Sequence, residues 1–267
     1  MRLLNRILAH ESSNFIIVKI QKKLRKIFKI YFVPTNLKDL PKKNYSINSN
    51  FHYQEELIKK FSKTNELTSF NTFPKMTQML KMLFLQEDSK FNFLDFGGEN
   101  IDFYLHLKKN FKNVNYFIFN KRKINEDFIK LKKKYNFNNI TILENLDEIY
   151  NNKYEFINFG SVIQYVENYE EVLLKIINVS KKYIFFSATH FSSEIINQRN
   201  SVIVRQVNLL PNQFYCYFFN FDNFAKIFLS KKFSIVFKEK NKLDNVNYNN
   251  FESSFGNIIY TDLLLSL

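Results

Sequence analysis

Cysteine occurs once in these 267 residues, as Cys216. A single thiol excludes an intramolecular disulfide and a cysteine-built metal site, and it suits a reducing, cytoplasmic setting. The 4 histidines (His10, His52, His106, His190) lie too far apart for a zinc motif, so no metal is expected. No run of about 20 apolar residues is present for a membrane span. A signal peptide's small-residue cleavage site after an apolar core is also missing. There is no Walker lysine pattern of a kinase or sulfotransferase, no helix-turn-helix or RNP-like pattern, and no internal repeat. Glycine and proline number 4 each, and tryptophan is absent.

What the chain has in abundance is phenylalanine (32), tyrosine (15), lysine, asparagine and isoleucine, a profile that looks like an AT-rich coding bias. The 45% hydrophobic and 24% charged fractions are ordinary for a globular protein. A formal charge of +14 would suggest a nucleic-acid partner if it were spread over the surface. It is concentrated instead: residues 1–43 hold 11 Lys or Arg against Glu11 and Asp39, and the other residues carry 28 basic against 23 acidic groups. The body nearly balances its charges, so no nucleic-acid partner is expected.

The chain divides into a basic amphipathic arm (1–43), a helical cap (44–90) and an α/β domain (91–267). In the arm, Ser12-Ser13-Asn14 offers N-caps and Pro34 an end to a helix. Ile16, Ile17, Ile20, Leu24, Ile27, Phe28 and Tyr31 share one side of it, and Lys19, Lys22, Lys23, Arg25, Lys26 and Lys29 fill the other. Two readings stand: contact of residues 15–33 with an anionic membrane at the inner face, or docking of the apolar stripe on the main domain. Residues 35–50 read as a linker. Helices follow around Glu55–Phe61 and from Pro74 through Met76, Met79, Leu80, Met82 and Leu83, whose Met and Leu stripe reads as core.

From residue 91 strands alternate with helices, at 91–96, 114–119, 140–143, 156–159 and 183–187, which argues for a parallel sheet covered on both faces. Residues 188–219 read as a long irregular piece, within which 214–219, aromatic except for Cys216, reads as a buried wall or a stacking platform. A helix near Phe221–Leu229 and two antiparallel strands, 233–239 and 257–265, close the chain. Its organising stretch is Leu94-Asp95-Phe96-Gly97-Gly98-Glu99-Asn100, where a strand runs into paired glycines and then a helix. Open α/β sheets hold ligands at such carboxyl ends. The residues gathered there are Asp95, Gly97, Gly98, Glu99, Asn120, Glu144, Asn145, Gly160–Tyr165 and Ala188–His190.

Leu94-Asp95-Phe96-Gly97-Gly98, then Gly160-Ser161-Val162-Ile163-Gln164-Tyr165-Val166, then Arg205-Gln206-Val207 with Leu210-Pro211, resemble the class I S-adenosylmethionine-dependent methyltransferases. The resemblance extends over roughly residues 45–265. More closely the chain looks like a little-characterised family of methyltransferase-like proteins found with bacterial surface-polysaccharide genes. The resemblance implies a Rossmann-like sheet of seven strands, the last antiparallel, with S-adenosylmethionine as cofactor and a small hydroxylated acceptor, such as a sugar. It also implies cofactor-binding roles for Asp95, Gly97, Gly98, Glu99, Asn120, Asn145, Gly160 and Gln164, and catalytic roles for Tyr165 and His190. Three positions depart from the wider pattern. Glu99 and Ile101 stand where glycines are usual, and Asn120 stands where the ribose ligand is usually acidic. They define the alternative, a degenerate methyltransferase-like binding or scaffolding protein.

Overall fold

The computed structural model describes residues 15–34, 51–64, 73–84, 90–192, 201–207, 214–241, 246, 248, 251 and 257–267. The expected caps Ser12-Ser13-Asn14, the linker 35–50, the Leu210-Pro211 pair and most of 241–250 lie outside them. Among the described residues, ten strands form one sheet.

Its centre is β2 (Phe91–Phe96), in which five of six residues are buried because helices cover both faces. On one side β2 pairs in parallel with β3 (Val114–Phe119), and β3 with β4 (Ile140–Leu143); on the other it pairs in parallel with β5 (Tyr154–Asn158), and β5 with β6 (Ser180–Ser192). The chain thus runs outward from β2 to β4 and returns to the opposite flank, and the order reverses between β2 and β5. β10 (Ile258–Ser266) inserts antiparallel between β6 and β9 (Ser234–Lys240). These seven strands are the Rossmann-like sheet expected, with its antiparallel final strand.

Helices α4 (Ile101–Asn110), α5 (Arg122–Tyr135), the short α6 (Leu146–Tyr150), α7 (Tyr169–Val179) and α8 (Phe221–Leu229) fill the connections, after α2 (Phe51–Thr64) and α3 (Phe73–Phe84) of the cap. One core face joins Leu94, Ile157, Leu173, Ile176, Ile184 and Phe228. The other joins Leu57, Leu80 and Phe84 of the cap to Phe93, Tyr104 and Phe128. Phe93 carries that layer, its ring stacked 5.6 Å from Tyr116 and 5.3 Å from Phe156. The methionine stripe is core only in part: Met76 is buried, whereas Met82 is 81% exposed.

The expected irregular piece is largely strand. β6 continues to Ser192, β7 (Ser201–Gln206) pairs antiparallel with β8 (Phe214–Asn220), and β8 joins β6 in parallel at Phe191 and Ser192. Aromatic residues on both sides of Cys216 obscure the two-residue period that marks a half-buried strand, but β8 buries Tyr215, Cys216, Phe218 and Phe219 as a wall. The arm adds the last strand. After α1 (Phe15–Phe28), β1 (Phe32–Pro34) pairs antiparallel with β7, Phe32 opposite Gln206 and Val33 opposite Arg205. Lys29 takes a left-handed φ of 53°, and Ile30 N–H reaches back to the Arg25 carbonyl at 3.0 Å, which ends the helix and turns the chain into β1.

Candidate active site

At the end of β2 the Asp95 carboxylate turns inward. It is 5% exposed and accepts hydrogen bonds from the Tyr116 hydroxyl of β3 at 2.5 Å and the Asn158 side-chain amide of β5 at 2.8 Å. Three neighbouring strands are tied together beneath the turn. Burial, and secondarily the charge of Glu99, raise the Asp95 pKa to about 6 against the two hydrogen bonds that lower it.

Both glycines are required by this packing. Gly97 sits at φ +81°, and a Cβ there would lie 2.5 Å from a Val162 methyl. At Gly98 a Cβ would lie 2.2 Å from an Asp95 carboxylate oxygen. Asn120, ending β3, donates to the Gly98 carbonyl at 2.7 Å and accepts from Lys121 N–H at 2.7 Å, so both ends of its amide serve the turn. Gln54 of α2 holds the other side, donating to the Glu99 carbonyl at 2.6 Å and accepting from Ile101 N–H at 2.9 Å.

What the turn leaves unused is a set of donors. Asn100 caps α4 with no side-chain cap bond, and the N–H groups of Gly98, Glu99 and Asn100 meet no protein acceptor among the described residues. Orphan amides at a helix N-terminus favour an anion. The Glu99 carboxylate opposes one: burial raises its pKa against the pull of Lys121, and its charge raises Asp95 and Tyr165 as well.

Beside this turn, after β5, Gly160 N–H donates to the Asn158 side chain at 3.0 Å, so one asparagine links Asp95 to the second loop. Gln164 is fully buried in the single helical turn Ile163–Tyr165; its amide donates to Ser161 Oγ at 2.8 Å and the Ala188 carbonyl at 3.3 Å, while its Oε1 has no partner among the described residues. The Tyr165 hydroxyl donates to Gln206 of β7 at 2.8 Å. Burial keeps that phenol's pKa well above the usual tyrosine range, so it remains protonated. The structure thereby joins two motifs that are 41 residues apart in sequence.

Asn145 follows β4 and precedes α6. It caps α6 reciprocally with Glu148, accepting from Glu148 N–H at 3.0 Å and donating to its carboxylate at 2.8 Å. His190 is 2% exposed, its ring 4.6 Å from Phe32 and Phe218 and 4.4 Å from Tyr260. In that aromatic cage burial lowers its pKa to about 3, so the imidazole is neutral, and its Nδ1 has no partner among the described residues.

Sequence reading passed over Asp262, whose oxygen accepts from Ser187 Oγ at 3.0 Å, Ala188 N–H at 2.9 Å and the Asn241 amide at 2.8 Å. It sits where β10 slips register between Thr261 and Leu263, and it pins Ala188 at a left-handed φ of 50°. The Ala188 carbonyl then meets Ser161 and Gln164. Tyr260 closes the group, its hydroxyl 3.1 Å from Ser161 Oγ. A lone aspartate in an apolar strand was the available signal, since such a charge is rarely buried without partners.

The turn with free amides lies at the order reversal of a doubly wound sheet, the place where open α/β sheets of the Rossmann-like class hold their ligands. No family model and no curated protein matches the sequence. Solved structures match the fold. The N-terminal domain of EvdMO1, crystallised in the presence of SAH and D-fucose, aligns over 96% of this chain and 98% of its own, with a TM-score of 0.51 at 8% identity. The same domain with SAH bound gives 0.50 at 9% identity over the same shares. An S-adenosylmethionine-dependent methyltransferase from Clostridium acetobutylicum gives 0.49 at 9% identity, over 82% of this chain and 99% of that one. The fold is the methyltransferase-type Rossmann-like fold.

Proposed function

We propose that the chain is an S-adenosylmethionine-dependent methyltransferase acting on a small hydroxylated acceptor, a sugar of surface-polysaccharide synthesis, in the cytoplasm. The observation that carries this reading is the row of unpartnered amides, Gly98, Glu99 and Asn100, at the carboxyl end of β2. They suit the carboxylate of the cofactor's methionine part. The EvdMO1 domain, with its SAH and D-fucose, supports both the donor and the acceptor class. The buried free thiol of Cys216 agrees with a reducing compartment.

When bound, the cofactor supplies a methyl group on a sulfonium that is its own leaving group. The chain's part is to bind, orient and exclude water. Asp95 fixes the turn from below, and Gln164 and Tyr165 flank the acceptor side. Gln206 orients the Tyr165 hydroxyl. A neutral His190 can accept a proton, but a pKa of about 3 makes it a weak base, so alignment carries most of the task.

One observation favours the alternative of a degenerate binding protein: Asn120, the ribose candidate, is already engaged at both ends. Titration calorimetry with S-adenosylmethionine and S-adenosylhomocysteine separates the two. One saturable site supports the enzyme, followed by transfer of labelled methyl to free and nucleotide-linked sugars. No heat at millimolar ligand rejects it in favour of the binding protein.

A further inference from the structure

Helix α1 is divided into three sectors. At about 100° per residue, Gln21 and Arg25 form a narrow sector against the domain. They are 3% and 1% exposed, and the Arg25 guanidinium donates to the Val207 carbonyl at 3.4 Å. The next sector holds Ile16, Ile20 and Ile27, 67%, 52% and 70% exposed, with Ile17 and Phe28 at its edge, both also exposed. The third holds Lys19, Lys22, Lys23 and Lys26, all exposed, and the helix contains no acidic residue.

The sequence pattern alone allowed the isoleucine face to be the docked one. The fold docks Gln21 and Arg25, with Leu24 packed on Ile30, Val33 and Val207, and turns the isoleucines outward. Solvent-exposed branched residues in a row beside a row of lysines are a costly surface in water. No helix among the described residues is long and apolar enough to cross a membrane. A second copy of the chain would bring its own lysine row against the first, like charge on like. An anionic bilayer meets both sectors, acyl chains at the isoleucines and headgroup phosphates at the lysines.

We propose that α1 seats the protein on the surface of an anionic lipid bilayer, lying in the interface with its isoleucine sector submerged. The attachment is rigid rather than tethered. Three residues beyond the helix, β1 is hydrogen-bonded to β7, and its Phe32 touches the His190 ring at 4.6 Å, so the lipid-facing helix is built into the acceptor side of the sheet.

The test is vesicle sedimentation with the full chain, without cofactor, so that it is independent of the methyl-transfer reading. Wild type is expected to pellet with vesicles of equal phosphatidylglycerol and phosphatidylcholine, not with phosphatidylcholine alone, and to be released by added salt. Ile20→Glu with Ile27→Glu should weaken binding at least about tenfold. Each of Lys22→Gln and Lys26→Gln should weaken it roughly fivefold. These side chains are exposed, and an unchanged melting temperature checks that the variants fold. Failure to pellet, equal binding to neutral vesicles, or unchanged binding by the folded isoleucine variant overturns the proposal. So does a dimer in sedimentation velocity that the isoleucine variant abolishes while vesicle binding is absent, which assigns the face to a second copy.

Discussion

At Gly98 the smallest change carries the largest consequence. A Cβ 2.2 Å from the Asp95 carboxylate must displace it from Tyr116 and Asn158. Gly98→Ala is therefore expected to cost about 2–4 kcal/mol in urea unfolding, before any question of ligand. Titration of the same carboxylate leaves a signature. Its folded pKa of about 6 exceeds the unfolded value of 3.8, so the folded state binds more protons between them. Stability contributed by protonated Asp95 is complete below about pH 4 and lost as pH rises through about 6, a change of about 3 kcal/mol. His190 has the opposite sense. A folded pKa of about 3 below the usual 6.5 means that its contribution is lost as pH falls between them. Unfolding free energies from pH 3 to 8 for wild type, Asp95→Asn and His190→Phe (a range set by these two values) should show each slope vanish with its own residue. Parallel curves for wild type and either variant would count against that assignment.

Among the elements, two docking contacts lie outside the seven central strands. Gln54 of α2 is the only partner the described residues give to the buried Ile101 N–H; Gln54→Ala should cost about 1–3 kcal/mol and loosen the amide row of the turn. β1 covers the edge of β7, and Val33 is 2% exposed. Val33→Asp should detach the strand, and exchange of the Val207 amide, which donates to the Tyr31 carbonyl at 2.8 Å, should speed up while amides of β2 stay protected. The sequence made the interior elements plain. β2 and β3 fall at the expected bounds, because their apolar spacing is set by two-sided or one-sided burial that propensity alone can express. β7 and β8 were not legible, since Arg205 and Gln206 interrupt one strand and unbroken aromatics hide the period of the other. β1 has only three residues and is a strand because β7 is there to pair with it. Of the site, the strand ends were legible, because open α/β sheets hold ligands at the carboxyl ends of their strands. The engagement of Asn120 with Gly98 and of Tyr165 with Gln206 was not, since neither pairing leaves a spacing signal.

Over the whole molecule, ligand binding should register as stability. If S-adenosylhomocysteine binds, saturation at about 100 times Kd stabilises the chain by about 2.7 kcal/mol, or roughly 5–10 °C in melting temperature at this size. A melt that does not move agrees with the degenerate alternative. The Asp95 knot under the turn also has a meaning for reading other genomes. Because Gly98 answers to a carboxylate inside its own protein, and Gly97 to its backbone angle and Val162, both glycines are a condition of folding. A descendant that had abandoned its ligand would still have to keep them. The glycine pair therefore certifies an inherited architecture, and the residues that could report a lapsed activity are the ones the fold leaves at liberty to drift, beginning with Glu99.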